Sequence, residues 1–227
     1  MPHHSGSVGV FAKYPLAGQV KTRLIPLLGP QCAAEFARYL ILSTLSRLWS
    51  PLQKKGVGLW RLRDGGSEAD WNQLLSSLPL ELRQQLRLAW QRDGDLGQRM
   101  QAAMASQLKA VPSNAGSKAV LMGADAIEFS ASHVCQKLER LNEFDLVFTP
   151  AHDGGYVAVG CTPAGLAVFD TELPWGSSRV LELYLKEDEQ KDIKTQVCLR
   201  QMDLDEPADF LTAQEKNLFP KSWKSLF

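Results

Sequence analysis

The sequence predicts an α/β protein in which helices cover both faces of a mostly parallel sheet. Short apolar runs of strand length alternate along the chain with segments whose apolar residues recur every three or four positions. Turn-forming residues separate these segments, and no internal repeat or long linker interrupts them. The 227 residues lie within the range of one α/β domain. We therefore expect a single three-layer α/β/α sandwich over residues 1–227.

The N-terminal half is predicted to begin with a buried strand and one long helix. Ser7–Lys13 is an apolar run that ends before Tyr14-Pro15, and a basic, glycine-containing loop then extends to Leu28. Gly29-Pro30 opens a helix with one apolar face, which Pro51 ends, because proline suits a first helical turn but not a helix interior. Further elements follow in the order strand, helix, strand, helix: Gly56–Leu62, Ser67–Leu75, Leu86–Gln91 and Leu96–Leu108.

The C-terminal half continues the alternation. Ala119–Met122 is a predicted strand, Ser130 caps a helix that runs to Leu141, and two strands follow at Phe144–Thr149 and Tyr156–Gly160. The remaining elements are a helix that starts at Ser177 or Ser178, a strand at Thr195–Leu199 and a C-terminal helix with Asp205 as its cap and Pro207 in its first turn.

Composition narrows the classes of partner. The chain has 25 basic and 25 acidic residues, so a broad nucleic-acid surface is not expected. No run of eighteen apolar residues occurs, which argues against a membrane span. Four cysteines are scattered without a C-x-x-C pair, and the N-terminus lacks the blocks of a targeting peptide. These features predict a reducing, cytoplasmic location.

The loop after the first predicted strand is the strongest candidate for an anion site. It carries Lys13, Lys21 and Arg23, and no acidic residue precedes Glu35 in the chain. Ligands of open α/β sheets bind outside the carboxyl ends of the strands, and Gly18 would let the backbone approach a phosphate closely. Lysine supplies a point charge and arginine a bidentate fork, so the loop could hold a diphosphate. A solvated basic loop explains the same residues, and the spacing is not that of a P-loop.

Two further strand ends carry candidate residues. Gly94 lies in a turn before a helix whose free amides could face a phosphate, although a plain aspartate cap accounts for the same turn. Asp125 follows the fourth predicted strand, where a carboxylate can hold Mg²⁺ or Mn²⁺, although an acid at this place is more often a turn residue.

A third set of candidates follows the fifth predicted strand. Asp153, Gly154, Gly155 and Tyr156 would expose a carboxylate in a tight turn, and a simple hairpin is the alternative. Further along the chain, Trp175 and Arg179 could place an aromatic wall and a cation beside a ligand, or Trp175 could belong to the core.

Taken in order, these segments resemble a bacterial family of glycosyltransferase-like proteins, the "transferase 1" proteins of the nucleotide-diphospho-sugar transferase superfamily. The segments are FAKYPLAGQVKTRLIPLLGP, GDLGQRM, VLMGADA, TPAHDGGYVAVG, LPWGSSRVL and DLDEPADF. The resemblance implies a Rossmann-like sheet of the GT-A type, a nucleotide or nucleotide-sugar under the N-terminal loop, and a divalent metal on its diphosphate.

The same resemblance assigns roles by position. Lys13, Lys21 and Arg23 fall in the basic signature, Asp125 falls where related enzymes hold metal or sugar, and Asp153 opens the loop on the acceptor side. The family's usual block after the central strand is similar to G-S-D-C-P-D-L, whereas this chain reads GADAIEF from 123 to 129. The second acid of that block would then correspond to Glu128.

The function expected from these features is metal-dependent glycosyl transfer to a small-molecule or lipid-linked acceptor. Lys21 and Arg23 would hold the diphosphate, Asp125 the metal, and Asp153 would act as general base if the reaction inverts. Two alternatives share the fold. One is a nucleotidyltransferase that uses a nucleoside triphosphate, and the other is a nucleotide-binding module that has lost catalysis, which the altered block at 123–129 motivates.

Overall fold

A computed structural model of the chain describes residues 6–52, 56–111, 116–170 and 179–220. The strands are β1 (Ser7–Ala12), β2 (Val57–Arg61), β3 (Arg87–Trp90), β4 (Ala119–Gly123), β5 (Leu146–Pro150), β6 (Tyr156–Cys161) and β7 (Thr195–Val197). The helices are α1 (Ile25–Leu52), α2 (Glu68–Leu75), α3 (Leu80–Gln85), α4 (Leu96–Lys109), α5 (Ala131–Arg140), α6 (Val180–Gln190) and α7 (Pro207–Glu215), with 3-10 turns at Thr22–Leu24 and Gly165–Asp170.

The strands form one mostly parallel sheet. Its order is β3-β2-β1-β4-β6-β5-β7, and β6 runs antiparallel to both of its neighbours while the other adjacent pairs are parallel. The carboxyl ends of β1, β4 and β5 therefore meet at one edge of the sheet, together with the start of β6. This is the edge at which the sequence places its candidate residues.

Helices cover both faces of the sheet, as predicted. One face packs against α1, α2 and α5, and the other packs against α4, α6 and the 3-10 turn at Gly165–Asp170. Val8, Val10 and Ala12 of β1 are buried on the first face, and Val120 and Met122 of β4 lie beside them. Strands covered on both faces require near-continuous apolar sequence, which is why these runs stand out in the chain.

A third apolar cluster packs α1 against the C-terminal helix α7. Phe36 of α1 contacts Phe210 of α7 and Phe219, with ring centroids 5.0 and 5.4 Å apart. Leu204, between β7 and α7, is fully buried in the same cluster. This packing brings the segment before α7 against the loop that precedes α1.

Several predicted boundaries change. α1 kinks at Gly29, whose φ of 74° is not helical, so the longer part of the helix begins after Gly29 as predicted. Residues 25–28 are helical, although they were predicted as loop, and the helix includes Pro51, which was predicted to end it, and runs to Leu52. The short helix α3 was not predicted from the sequence. Asp205 does not cap the last helix, because Glu206 occupies the N-cap position and pairs with Asp209 in a capping box. Ser177 and Ser178 lie outside the described residues.

None of the helices within the described ranges is long and apolar enough to cross a membrane.

Candidate active site

Lys21 is the central cation at the carboxyl edge of the sheet. It adopts a left-handed backbone conformation, φ 46° and ψ 43°, immediately before the 3-10 turn at Thr22–Leu24. That conformation costs a lysine about 1 kcal/mol. The side chain is only 10% exposed, and its Nζ donates to Asp125 Oδ2 at 2.8 Å and lies 3.5 Å from Asp205 Oδ1. A strained backbone thus delivers a nearly buried ammonium group to two carboxylates.

The other two cations of the basic loop also have acidic partners. Arg23 Nη1 lies 2.9 Å from Asp205 Oδ2 and 3.1 Å from Glu206 Oε1, and Lys13 Nζ lies 3.2 Å from Asp64 Oδ2. The loop has no acidic residue of its own, as the sequence shows, and its counter-charges come from elsewhere in the fold. The partners come from segments far away in the chain, which a local count of acids cannot detect.

The Lys21–Asp125 pair is strongly coupled. Burial lowers the pKa of Lys21, but the charge of Asp125, their hydrogen bond and the charges of Asp205 and Asp203 outweigh burial and raise it above its ordinary value. Burial likewise raises the pKa of Asp125, and Lys21 reverses the direction, so that the pKa lies below its ordinary value. Both groups are therefore held in their charged forms.

The loop that carries Asp125 is held by α1. Thr44 Oγ1 donates to the carbonyl of Ala124 at 3.0 Å. Arg47 donates from Nη1 to the carbonyl of Ile127 and from Nη2 to the carbonyl of Ala126 at 3.3 Å. Ala126 and Ile127 are themselves buried. The residues that depart from the family's usual block thus support an ordered turn in this chain.

Glu128 does not act as a second acid beside Asp125. Its carboxylate accepts a hydrogen bond from the amide of Met202 at 3.3 Å and from Lys216 Nζ at 3.3 Å, which ties it to the C-terminal segment. The expected replacement for the family's second acid is therefore wrong, because the longer side chain turns away to these partners.

Asp203 is a further carboxylate near the carboxyl edge of the sheet. It follows β7 and is half-buried near the site. Burial, followed by the charges of Asp153 and Asp125, raises the pKa of Asp203 to about 6. The charges of Asp153 and Asp125 thus act on Asp203 in addition to its burial. Asp203 lies two residues before Asp205, which the sequence analysis took as the cap of the last helix.

Asp153 lies in a hairpin turn between β5 and β6. Its Oδ1 accepts a hydrogen bond from the amide of Gly155 at 2.9 Å, the amide of Ala151 donates to the Gly155 carbonyl at 3.0 Å, and Gly154 has a φ of 93°. The amide of Leu181 in α6 donates to the Gly154 carbonyl at 3.3 Å. The hairpin alternative is therefore confirmed for the backbone. The turn also places the Asp153 carboxylate at the carboxyl edge of the sheet.

Two clefts flank the ends of β1 and β4 and share Phe11 and Gly123. The first cleft has a volume of about 280 Å³ and is lined by Phe11, Ala12, Lys13, Gln19, Val20, Lys21, Ala37, Leu40, Ile41, Gly123, Ala124, Asp125 and Asp205. The second has a volume of about 260 Å³ and is lined by Phe11, Leu96, Met100, Leu121, Met122, Gly123, Ala151, Asp153, Gly155, Tyr156, Val157, Ala158, Val159, Val180 and Asp203. Lys13, Lys21 and Asp125 thus share one cleft, whereas Asp153 and Tyr156 share the other.

Four other candidates have different settings. The Tyr156 hydroxyl contacts Met100 Sδ at 3.4 Å, and burial raises its pKa well above the ordinary value. Arg179 precedes α6, is exposed and pairs with Glu182 of that helix at 3.3 Å. Gly94 lines neither cleft and precedes Asp95, whose side chain caps α4 by accepting from the Gln98 amide. Trp175 lies outside the described residues.

The carboxylates are a suitable but incomplete donor set for a divalent metal. Within the described ranges, no three His, Cys, Asp or Glu side chains stand together as a ready metal cage. Mg²⁺ is commonly held by one or two carboxylates with substrate phosphates completing the shell. The repulsion that raises the pKa of Asp203 is also the kind that a cation between carboxylates would relieve. The residues therefore fit a metal that arrives with a diphosphate.

Comparison with known proteins places the chain in a family and a superfamily fold. Residues 57–177 match the family described as "Uncharacterized protein conserved in bacteria (DUF2064)". The fold is similar to that of a presumed nucleotide-diphospho-sugar transferase from Desulfovibrio desulfuricans G20, with 26% identity, a TM-score of 0.79, and 93% of this chain and 88% of that chain covered. A search of curated proteins gave no match.

More distant structures share the fold alone. A cytidylyltransferase from Leptospira borgpetersenii superposes with a TM-score of 0.58 at 13% identity, covering 99% of this chain and 92% of that one. Glucosyl-3-phosphoglycerate synthase from Mycobacterium tuberculosis, solved with Mn²⁺, UDP and glucosyl-3-phosphoglycerate, superposes with a TM-score of 0.52 at 13% identity, covering 94% and 77%. The names of these three proteins all describe transferases or synthases that use or bind a nucleotide.

Proposed function

The chain belongs to the DUF2064 family, and from its site we propose a metal-dependent glycosyltransferase that moves a sugar from a nucleotide-diphospho-sugar to an acceptor hydroxyl. The observation that supports the proposal most directly is the cluster at the carboxyl edge of the sheet. There, a nearly buried Lys21 faces Asp125, and Asp203 is electrostatically coupled to both Asp125 and Asp153. Nucleotide-using transferases are also the class of protein whose fold this chain shares.

The first cleft would hold the diphosphate of the donor. Lys13 and Lys21 line this cleft. Arg23 does not line it but forms an ion pair with Asp205, which does. Because Asp125 and Asp205 hold Lys21 and Arg23 in position before any ligand arrives, less side-chain entropy is lost on binding. Ammonium and guanidinium groups that donate charge-assisted hydrogen bonds suit phosphate oxygens.

Asp125 and Asp203 would hold the metal. A bound Mg²⁺ or Mn²⁺ offsets negative charge on the departing nucleoside diphosphate. Lys21 would share this task, since it contacts Asp125 at 2.8 Å and remains charged. This assignment keeps Asp125 from the sequence prediction and replaces Glu128 with Asp203.

Asp153 would accept the proton of the acceptor hydroxyl in an inverting reaction. Its carboxylate lines the second cleft, across Gly123 from the diphosphate loop. The hydrogen bond from the Gly155 amide fixes Oδ1 and leaves Oδ2 for the acceptor, so the turn positions the carboxylate as well as closing the hairpin.

Calorimetric titration with UDP, ADP and GDP, each with Mg²⁺, Mn²⁺ or EDTA, tests the proposal. At least one diphosphate is expected to bind more tightly with metal, and Lys21→Met is expected to weaken that binding by about tenfold or more, the worth of one charge-assisted hydrogen bond. Lys109→Met, at the far end of α4, is the matched control and leaves the affinity unchanged. If no diphosphate binds under any metal condition, the proposal fails.

Product analysis then distinguishes the alternatives. Hydrolysis or transfer that releases a nucleoside diphosphate from a nucleotide-sugar supports glycosyl transfer. Pyrophosphate release from a nucleoside triphosphate supports nucleotidyl transfer on the same fold. Metal-dependent binding without either reaction supports the binding module.

A further inference from the structure

The second cleft has predominantly apolar walls. Leu96 and Met100 of α4 lie on one side, Leu121 and Val159 form its floor on the sheet, and Val180 of α6 completes it. Its volume, about 260 Å³, is close to the lower end of the range for small-molecule sites. Such walls favour a ligand that buries hydrocarbon rather than one that remains hydrated.

The charges in this cleft are all negative. Asp153 and Asp203 are its acidic residues, and none of the described residues that line it is Lys, Arg or His. A phosphate or carboxylate placed between these walls would face these two carboxylates and no basic side chain among the described residues of the lining.

Two cations that lie beside residues of the clefts pair with acidic side chains. Lys21 lines the first cleft and pairs with Asp125. Arg179 precedes Val180, but its guanidinium pairs with Glu182. Both cations are thus paired with carboxylates that do not line the second cleft.

We infer that the second cleft takes an acceptor with an apolar body and no anionic group, and that it discriminates against phosphorylated and carboxylated acceptors. The identification of this ligand as the acceptor rests on the proposed function, whereas the preference for an uncharged ligand rests on the lining of the cleft alone. A binding site can be specific because it repels a ligand of the same charge, as well as because it makes favourable contacts with the preferred ligand.

A matched pair of probes tests the preference. Hexan-1-ol and hexyl phosphate share one hydrocarbon chain, and their binding is compared by ligand-observed NMR at pH 8 in EDTA, where neither metal nor nucleotide contributes. Hexan-1-ol is expected to bind at least tenfold more tightly. In the double variant Asp153→Asn with Asp203→Asn, that ratio is expected to fall at least threefold, because hexyl phosphate gains affinity. Glu81→Gln on α3 removes one exposed carboxylate away from the cleft and leaves the ratio unchanged.

The outcomes separate this inference from the proposed function. Equal or tighter binding of hexyl phosphate to the unmodified chain overturns the preference, as does an absence of hexan-1-ol binding. An unchanged ratio in a double variant with a native circular-dichroism spectrum overturns the assignment to Asp153 and Asp203. None of these results depends on UDP, so a failure of diphosphate binding would refute the proposed function and leave the cleft preference standing.

Discussion

Replacing Asp203 with asparagine is expected to stabilise the fold and weaken its metal-dependent ligand binding. The pKa of this carboxyl group rises from an ordinary 3.8 to about 6, since burial and the charges of Asp153 and Asp125 disfavour its ionised form. At about 1.4 kcal/mol per pKa unit, the difference sets an upper limit of about 3 kcal/mol on the cost of ionisation. Because the side chain is partly exposed, solvent screening reduces that cost to about 1–2 kcal/mol.

The sign of the pH dependence follows from proton binding. Between about pH 4 and pH 6 the folded chain holds a proton on Asp203 that the unfolded chain has released, so the free energy of unfolding falls as pH rises through this window. Above pH 6 both states are ionised and the full cost is present. Asp203→Asn is therefore expected to be more stable than the unmodified chain by about 1–2 kcal/mol at pH 8, and by almost nothing near pH 4.

Urea denaturation at pH 8 and near pH 4, followed by circular dichroism, measures this difference. Glu81→Gln serves as the control and is expected to change stability by less than about 0.5 kcal/mol at both pH values. The same Asp203→Asn protein is expected to lose the metal-dependent part of UDP affinity, because Asp203 is a proposed metal ligand. A loss of stability at pH 8, or a gain that is the same at both pH values, would refute the argument from carboxylate repulsion.

Two further substitutions probe the catalytic base and the loop that carries Asp125. Asp153→Asn is expected to lower turnover by about 10²- to 10⁴-fold while UDP affinity stays constant, and near-normal turnover would return the residue to a turn role. Arg47→Ala removes the side-chain donor to the carbonyl of Ile127 and one of two donors to the carbonyl of Ala126, which the Phe129 amide still contacts. The change is therefore expected to cost about 1–3 kcal/mol in urea denaturation and to weaken UDP binding with Mg²⁺. Arg38→Ala, on the same helix, is its control, and equal effects of the two changes would contradict the loop-holding role.

The alternation of apolar runs was sufficient to predict the architecture. β1 and β4 are buried on both faces, so their sequences are nearly continuous in apolar residues, and the long apolar face of α1 is visible in the same way. The short helix α3 has too few residues for a periodic pattern, so no comparable signal predicts it. The resemblance to nucleotide-diphospho-sugar transferases was confirmed for the same reason, since the quoted segments include the strand ends that the fold requires.

The composition of the site was predicted in part. Lys21 and Asp125 meet, and Asp153 stands at the same edge, because parallel strands deliver their carboxyl ends to one side of a sheet. Gly94 lies in the turn before the Asp95 cap of α4, which was the alternative interpretation for this residue, and it lines neither cleft.

Pairing and electrostatics were decided by tertiary structure alone. Arg23 finds Asp205 across 182 positions of sequence, and Arg47 finds the carbonyls of Ala126 and Ile127 across about eighty. Local patterns report backbone conformation and burial, whereas an ion pair depends on which loops the folded sheet brings within a few ångströms. The Coulomb energy falls with that distance and with the dielectric of the surroundings, neither of which is written in the order of residues along a chain. For that reason the sequence identified Asp125 and Asp153 as candidate acids, and the fold places Asp203 in the same cleft as Asp153.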